Sequence, residues 1–171
     1  MIACDVNILV YAHNADEPRH RDYREWLEHA AEGDQPFGLS SLVASGFLRV
    51  VTHPKVLIRP LATDVALEIL AELRAASAVV PMEPGRRHWS LFAELCRSVA
   101  ARGNTVPDTY LAALAIEHGA EWNSADRSFA RFPGLRCRHP LDTATATAWP
   151  THPRPAGHAV RQEGIRLGDP G

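Results

Sequence analysis

Three aspartates, Asp5, Asp108 and Asp126, stand where a carboxylate invites a chemical explanation. Asp5 interrupts an apolar run, Ile2-Ala3-Cys4, and a second run, Ile8-Leu9-Val10, follows almost at once. The sequence around it offers no capping or packing benefit. Asp108 follows Pro107 and serves either the dipole of a helix it opens or a site. Asp126 follows Ser124-Ala125 and is either the N-cap of a short helix through Phe129 or a third acid. Carboxylates drawn together raise one another's pKa values unless a cation neutralises them, and hard oxygen donors suit Mg²⁺ or Mn²⁺. Such an ion activates a water and stabilises charge growing on a phosphodiester, so the trio points to metal-dependent phosphodiester hydrolysis.

Smaller polar residues flank the acids. Asn7 either orients the Asp5 carboxylate or a metal-bound water, or supports its own turn. Ser124 donates to a metal-bound water or to Asp126, or else caps the helix after it. Arg127 either meets a substrate phosphate or is simply solvated.

The three acids are far apart in the chain, so the elements between them must bring them together. Ile2 to Cys4 reads as a strand that delivers Asp5 to its carboxyl end, with a helix-compatible pattern after it. A helix is expected from about Pro18 to Ala31, with Tyr23, Trp26, Leu27 and Ala30 on its apolar stripe. A strand at 36–39 precedes a helix from Leu42 toward Thr52 that Ser40-Ser41 can cap. Another helix opens at Thr63 or Asp64, its apolar face drawn from Val65, Leu67, Ile69, Leu70 and Leu73. After a strand at 78–81, a helix is expected from Pro84 to Ala101 with Trp89, Phe92, Leu95 and Val99 on one stripe. The next helix begins at Asp108 and ends at Gly119, and strands follow at 121–124 and 135–137 around a helical turn. This alternation predicts an α/β fold with a parallel sheet covered by helices on both faces. In such sheets sites form beyond the carboxyl ends of the strands, where Asp5, Asp108 and Asp126 can converge.

Composition narrows the classes. The chain has 171 residues, 18 basic and 20 acidic, for a net charge of -2, which argues against a generally basic nucleic-acid binder. Cys4, Cys96 and Cys137 lack any zinc-site spacing and read as buried reduced thiols, and the nine histidines form no metal-binding repeat. No leader-like segment or apolar span is present, so a cytoplasmic protein with no membrane association is expected. From residue 143 the chain turns to Thr-Ala repeats and then Pro and Gly, so 1–142 is expected to form the domain and 143–171 a flexible tail.

Four ordered segments resemble the PIN-domain family, and more narrowly the VapC-type toxins of toxin and antitoxin pairs. They are Asp5-Val6-Asn7-Ile8-Leu9-Val10-Tyr11, the stretch from Phe47 to Pro54, the stretch from Gly103 to Ala115 containing Pro107-Asp108, and the stretch from Ser124 to Leu135 containing Asp126. The resemblance spans nearly all of residues 1–142. It implies a three-layer α/β/α nuclease domain with a central, mostly parallel sheet. It also implies a Mg²⁺-dependent endoribonuclease that acts on RNA as a homodimer and is neutralised by a VapB-like antitoxin near the acidic pocket. The family's first, third and fourth acidic positions map onto Asp5, Asp108 and Asp126, all three expected as catalytic metal ligands. The second acid, usually a Glu immediately before Phe-Leu-Arg, is replaced here by Gly46. That gap leaves two explanations open, a close approach of substrate or a neighbouring element, or a weakened binding module for RNA or antitoxin. Asp5-Val6-Asn7 also sits where dehalogenase-like phosphatases place two aspartates, but Asn7 cannot act as their acid and base. No GxGxxG follows the first strand, which speaks against a dinucleotide-binding domain.

Overall fold

A computed structural model describes residues 1–142; the expected tail at 143–171 lies outside the described residues. Five short strands, β1 (Ile2–Cys4), β2 (Phe37–Leu39), β3 (Val79–Pro81), β4 (Glu121–Asn123) and β5 (Arg136–Arg138), form one sheet. Their order is β3-β2-β1-β4-β5, and every neighbouring pair is parallel. Parallel neighbours need crossovers, supplied here by α1 (Val6–His13), α2 (His20–Glu32), α3 (Ser41–Val51), α4 (Thr63–Ala75), α5 (His88–Ser98) and α6 (Thr105–Glu117). A 3₁₀ turn, Arg127–Arg131, joins β4 to β5. The chain steps outward from β1 to β3 and then returns to the far side of β1 for β4. With right-handed crossovers, that reversal puts α1 to α4 on one face and α5 and α6 on the other.

The core lies between these layers. Ala3, Phe37 and Trp122 are fully buried on adjacent strands, and α6 buries an unbroken run from Leu111 to Ala115 against them. Such a run of small and branched apolar residues suits a helix enclosed on most of its surface. Ser40 caps α3 by accepting the Val43 N–H at 3.2 Å.

Several boundaries and faces differ from expectation. α6 starts at Thr105, so Pro107 is its third residue and Asp108 its fourth. Proline is tolerated there because the first-turn N–H groups have no partner inside the helix. α5 starts only at His88, because the Glu117 carboxylate accepts the Gly85 and Arg87 N–H groups at 2.8 Å each and holds 84–87 as a loop. Trp89 leaves the expected stripe and is 71% exposed, whereas Leu95 is buried. On α4 the buried face is Ala66, Leu70 and Leu73, at i, i+4 and i+7, with Val65 and Leu67 exposed. Ser124 lies just past β4 rather than in it. All three cysteines are free, but only Cys4 is buried; Cys96 and Cys137 are half-exposed.

Gly46 is the point where α3 crosses α1. A Cβ built on it would lie 2.6 Å from Val6 Cγ2, so the two helices meet there with no room for a side chain. Of the two explanations for the glycine, a neighbouring element accounts for its size. Val6 is β-branched and stiff at χ1, and it follows Asp5 directly, so crowding it would also push on the acid. Gly46→Ala is expected to lower stability by about 1–2 kcal/mol, because overpacking outweighs the gain in helix propensity. Denaturant unfolding checks this, and Val6→Ala should restore most of the loss; an additive pair of effects would contradict a contact at this crossing.

Candidate active site

The acids gather where the sheet reverses direction. Cys4 and Asn123 are paired in register, so the residues that follow them, Asp5 and Ser124, emerge side by side at the carboxyl edge of β1 and β4. The Asp5 N–H donates to the Asn123 carbonyl at 2.9 Å and carries the pairing one residue past the strand.

Asp5 is 9% exposed, and its carboxylate accepts three hydrogen bonds. Oδ1 accepts the Val6 N–H at 2.7 Å, while Oδ2 accepts Asn7 Nδ2 at 2.7 Å and the Ser124 hydroxyl at 2.9 Å. A carboxylate offers about four lone-pair sites, so Oδ2 is saturated and Oδ1 keeps one. The sequence reading that denied Asp5 a capping benefit is therefore corrected: Asp5 is the N-cap of α1.

Ser124 is fully buried and is the hub of the cluster. Its hydroxyl donates to Asp5 and accepts the Asp126 N–H at 2.9 Å and Asn7 Nδ2 at 3.2 Å. It gives its proton to Asp5, not to the Asp126 carboxylate as one reading had it. Asn7 closes the ring by accepting the Ala125 N–H at 3.4 Å. Asp126 is exposed and caps the 3₁₀ turn, Oδ1 accepting the Ser128 N–H at 2.8 Å. Asp108 is half-buried in the first turn of α6, and Arg127 is exposed beside Asp126.

The electrostatics record the convergence. Burial pushes the Asp5 carboxyl up to about 7; the bonds from Ser124 and Val6 oppose this, and the charges of Asp108 and Asp126 add to it. Burial likewise pushes Asp108 up to about 6, with Asp126 adding to the rise and Arg131 opposing it. Cys137 is pushed up to about 11, by burial first and then by Asp5 and Asp126. Among the described residues no three His, Cys, Asp or Glu side chains close tightly enough to enclose an ion. The donor set nevertheless suits a hard divalent cation: oxygen ligands only, mutually repelling and partly desolvated. Asp5, Asp108 and Asp126 are the residues that would hold one.

Two aromatic groups beside the cluster escaped the sequence reading. Tyr11 lies one helical turn beyond Asn7 and feels the charges of Asp5 and Asp126, and its phenol is raised by burial first and then by Glu17 and these acids. His139 follows the last residue of β5 on the same sheet edge. The i+4 spacing from Asn7 was the available signal for Tyr11.

A family model described as the PIN domain matches residues 2–135. VapC ribonuclease Mb2897 of Mycobacterium bovis is 49% identical over 145 residues, covering 85% of this chain and 99% of the relative. Ribonuclease VapC25 of Mycobacterium tuberculosis is 37% identical over 136 residues, covering 80% and 96%. The crystal structure of VapBC2 from Rickettsia felis bound to a promoter DNA fragment is similar with a TM-score of 0.60 and 22% identity, covering 81% of this chain and 98% of that one. Mycobacterium tuberculosis VapC20, a sarcin-ricin loop cleaving toxin, is similar with a TM-score of 0.54 and 16% identity, covering 79% and 98%. At these identities the two structures speak for the fold alone.

The raised carboxyls make stability depend on pH. Folded Asp5 keeps a proton that the unfolded chain releases near 3.8, so its contribution is full below about 4 and is lost as pH rises through about 7. In metal-free buffer, Asp5→Asn should gain in unfolding midpoint relative to the parent between pH 4.5 and pH 8, whatever constant offset the amide brings. Millimolar Mn²⁺ should raise the parent's midpoint at pH 8 and leave that of the variant nearly unchanged. Parallel pH profiles for the two proteins would contradict the placement of a protonated acid at this edge.

Proposed function

The chain belongs to the PIN-domain family, and from that premise we propose that it is a divalent-metal-dependent endoribonuclease, a toxin held inactive by a VapB-like antitoxin. The observation that carries this reading is the Asp5, Asp108 and Asp126 cluster at the sheet reversal, with Asp5 locked by Ser124 and Asn7. Its 49% identity to a VapC ribonuclease across nearly the whole of that relative supports the substrate and the partner.

Asp5 keeps a lone pair on Oδ1, while the saturated Oδ2 keeps the carboxylate from turning. Asp108 and Asp126 present their charge from α6 and from the turn after β4, and a bound cation would relieve their repulsion. Asp5, Asp108 and Asp126 would hold a Mg²⁺ or Mn²⁺ ion, which would supply Lewis acidity toward an attacking water and offset negative charge on the phosphodiester. Ser124 and Asn7 position Asp5 rather than react, and Arg127 meets a phosphate of the RNA beside Asp126.

A second reading, a binding module with weakened catalysis, has one observation on its side: Gly46 supplies no carboxylate, and its Cβ position points into Val6. Purified chain free of antitoxin, incubated with RNA and Mg²⁺, separates the two. Cleavage should stop in EDTA and fall roughly 100-fold or more in Asp5→Asn. Ser124→Ala, which removes a group acting through Asp5, should cost about tenfold. RNA that stays intact while Mn²⁺ binding is undetectable by calorimetry would favour the module.

The proposal includes a homodimer. A groove of about 300 Å³ is lined by Leu42, Phe92, Val106, Pro107 and Tyr110, and the exposed Trp89 ring lies 5.7 Å from Phe92 at its margin. An apolar patch of this kind suits a two-fold contact between copies. Because Val106-Pro107 lead directly into Asp108, such a contact would bring the two acidic pockets close together. A chain carrying both Trp89→Glu and Val106→Glu should run as a folded monomer in light scattering, and an unchanged dimer mass would remove the groove from the interface.

A further inference from the structure

Beside the acids stands a wall of aromatic side chains that the metal chemistry does not use. Asn123 and Arg138 are paired in register, and the Ser124 N–H donates to the Arg138 carbonyl at 3.1 Å. Asp5, Ser124 and His139 therefore occupy successive places along one sheet edge. His139 Nε2 is 3.2 Å from the Tyr23 hydroxyl, and Tyr23, buried on α2, packs its ring 5.1 Å from that of Tyr11. Tyr11 is half-exposed and stands on α1 one turn from Asn7, and its hydroxyl has no hydrogen-bond partner among the described residues. Tyr23 thus packs against the Tyr11 ring at 49° and is itself braced by His139, and Tyr11 keeps part of its surface exposed. Arg127 and Arg19 lie within electrostatic reach of His139, whereas the charges that reach Tyr11 are those of Glu17, Asp5 and Asp126.

We propose that Tyr11, backed by Tyr23 and through it by His139, is a nucleobase subsite that takes one unpaired base of the RNA adjoining the cleaved phosphodiester. This rests on the ribonuclease reading. A phosphodiester drawn to Asp5 and Asp126 carries its neighbouring nucleotides along the same edge. The first half-exposed ring beyond Asn7 is Tyr11. Stacking on an aromatic face needs a base free of its duplex neighbours, and it tolerates any base because each has a π-face. A polyanion also needs countercharge outside the acidic pocket, and Arg127 supplies it next to Asp126. The subsite therefore selects single-stranded or looped RNA over duplex, which the acids alone would not do. A partner protein has weaker support here, because nothing in the wall is specific to a peptide backbone.

The test uses the full chain and an oligoribonucleotide containing a bond the parent protein cuts. Tyr11→Leu should raise KM about tenfold to a hundredfold with a smaller change in kcat, whereas Tyr11→Phe, which keeps the ring, should stay within about threefold of the parent. An abasic ribose on the occupied side of the cut should cost the parent as much as Tyr11→Leu does, and should cost Tyr11→Leu little more. Arg127→Ala, at an exposed position, should weaken binding in a folded protein and reduce the salt dependence by about one phosphate contact. A binding arm stands apart from catalysis. In an Asp108→Asn background, a single-stranded oligoribonucleotide bearing 2-aminopurine should be quenched on binding, and Tyr11→Leu should remove the quench. Quenching without any cleavage by the parent would overturn the ribonuclease reading and keep a base-binding wall. Three results would overturn the subsite: equal kinetics and quenching for Tyr11→Leu in a folded protein, additive losses with the abasic substrate, or a Tyr11→Leu defect confined to release from a co-expressed antitoxin.

Discussion

The carboxylate of Asp5, taken out of water at the junction of two parallel strands, sets the terms for everything around it. A buried charge is costly unless it is bonded or neutralised, and here it is partly both. Three donors reach it from three places: the first peptide of α1, the side chain of Asn7 within that helix, and Ser124 from the end of β4. The strand pairing that fills the core with Ala3 and Trp122 is the pairing that brings Ser124 to Asp5. Two functions of the same residue are thus inseparable. It starts a helix, and it keeps one carboxylate lone pair unsatisfied.

What the sequence revealed follows from how local its causes are. β1, which ends just before Asp5, is a short apolar run, whereas β4, which ends just before Ser124, reads Glu121-Trp122-Asn123 and shows only Trp122 as an apolar signal. A parallel sheet then collects their carboxyl ends. The Ser40 cap of α3 is visible in the residues themselves. Where expectation and structure diverge, the cause lies across the fold. Pro84 to Arg87 stay out of α5 because of Glu117, thirty residues later. Trp89 satisfies helical spacing, but its side of α5 carries no neighbouring layer. The bond between Tyr23 and His139 spans 116 residues and exists only once β5 is in register. No window of sequence contains it.

Gly46 shows the same division. As a sequence symbol it is an absent acid; in three dimensions it is a point of contact between α1 and α3. The close crossing draws the start of α1 against α3, and the start of α1 is the peptide that Asp5 caps. Packing of two helices and placement of a reactive group are therefore set by one pair of residues, Gly46 and Val6.

On the function proposed, the double duty of Asp5 and Asp126 also shapes how activity can be lost. Asp5 begins α1 and Asp126 begins the turn after β4, so replacing either disturbs backbone geometry along with chemistry. Asp108 sits inside the first turn of α6, where it caps nothing. For a lineage under pressure to silence the enzyme yet keep a folded chain for its partner to hold, the acids are not equivalent. Drift should reach the one on α6 first, and the strand-end acid should outlast the reaction proposed for it.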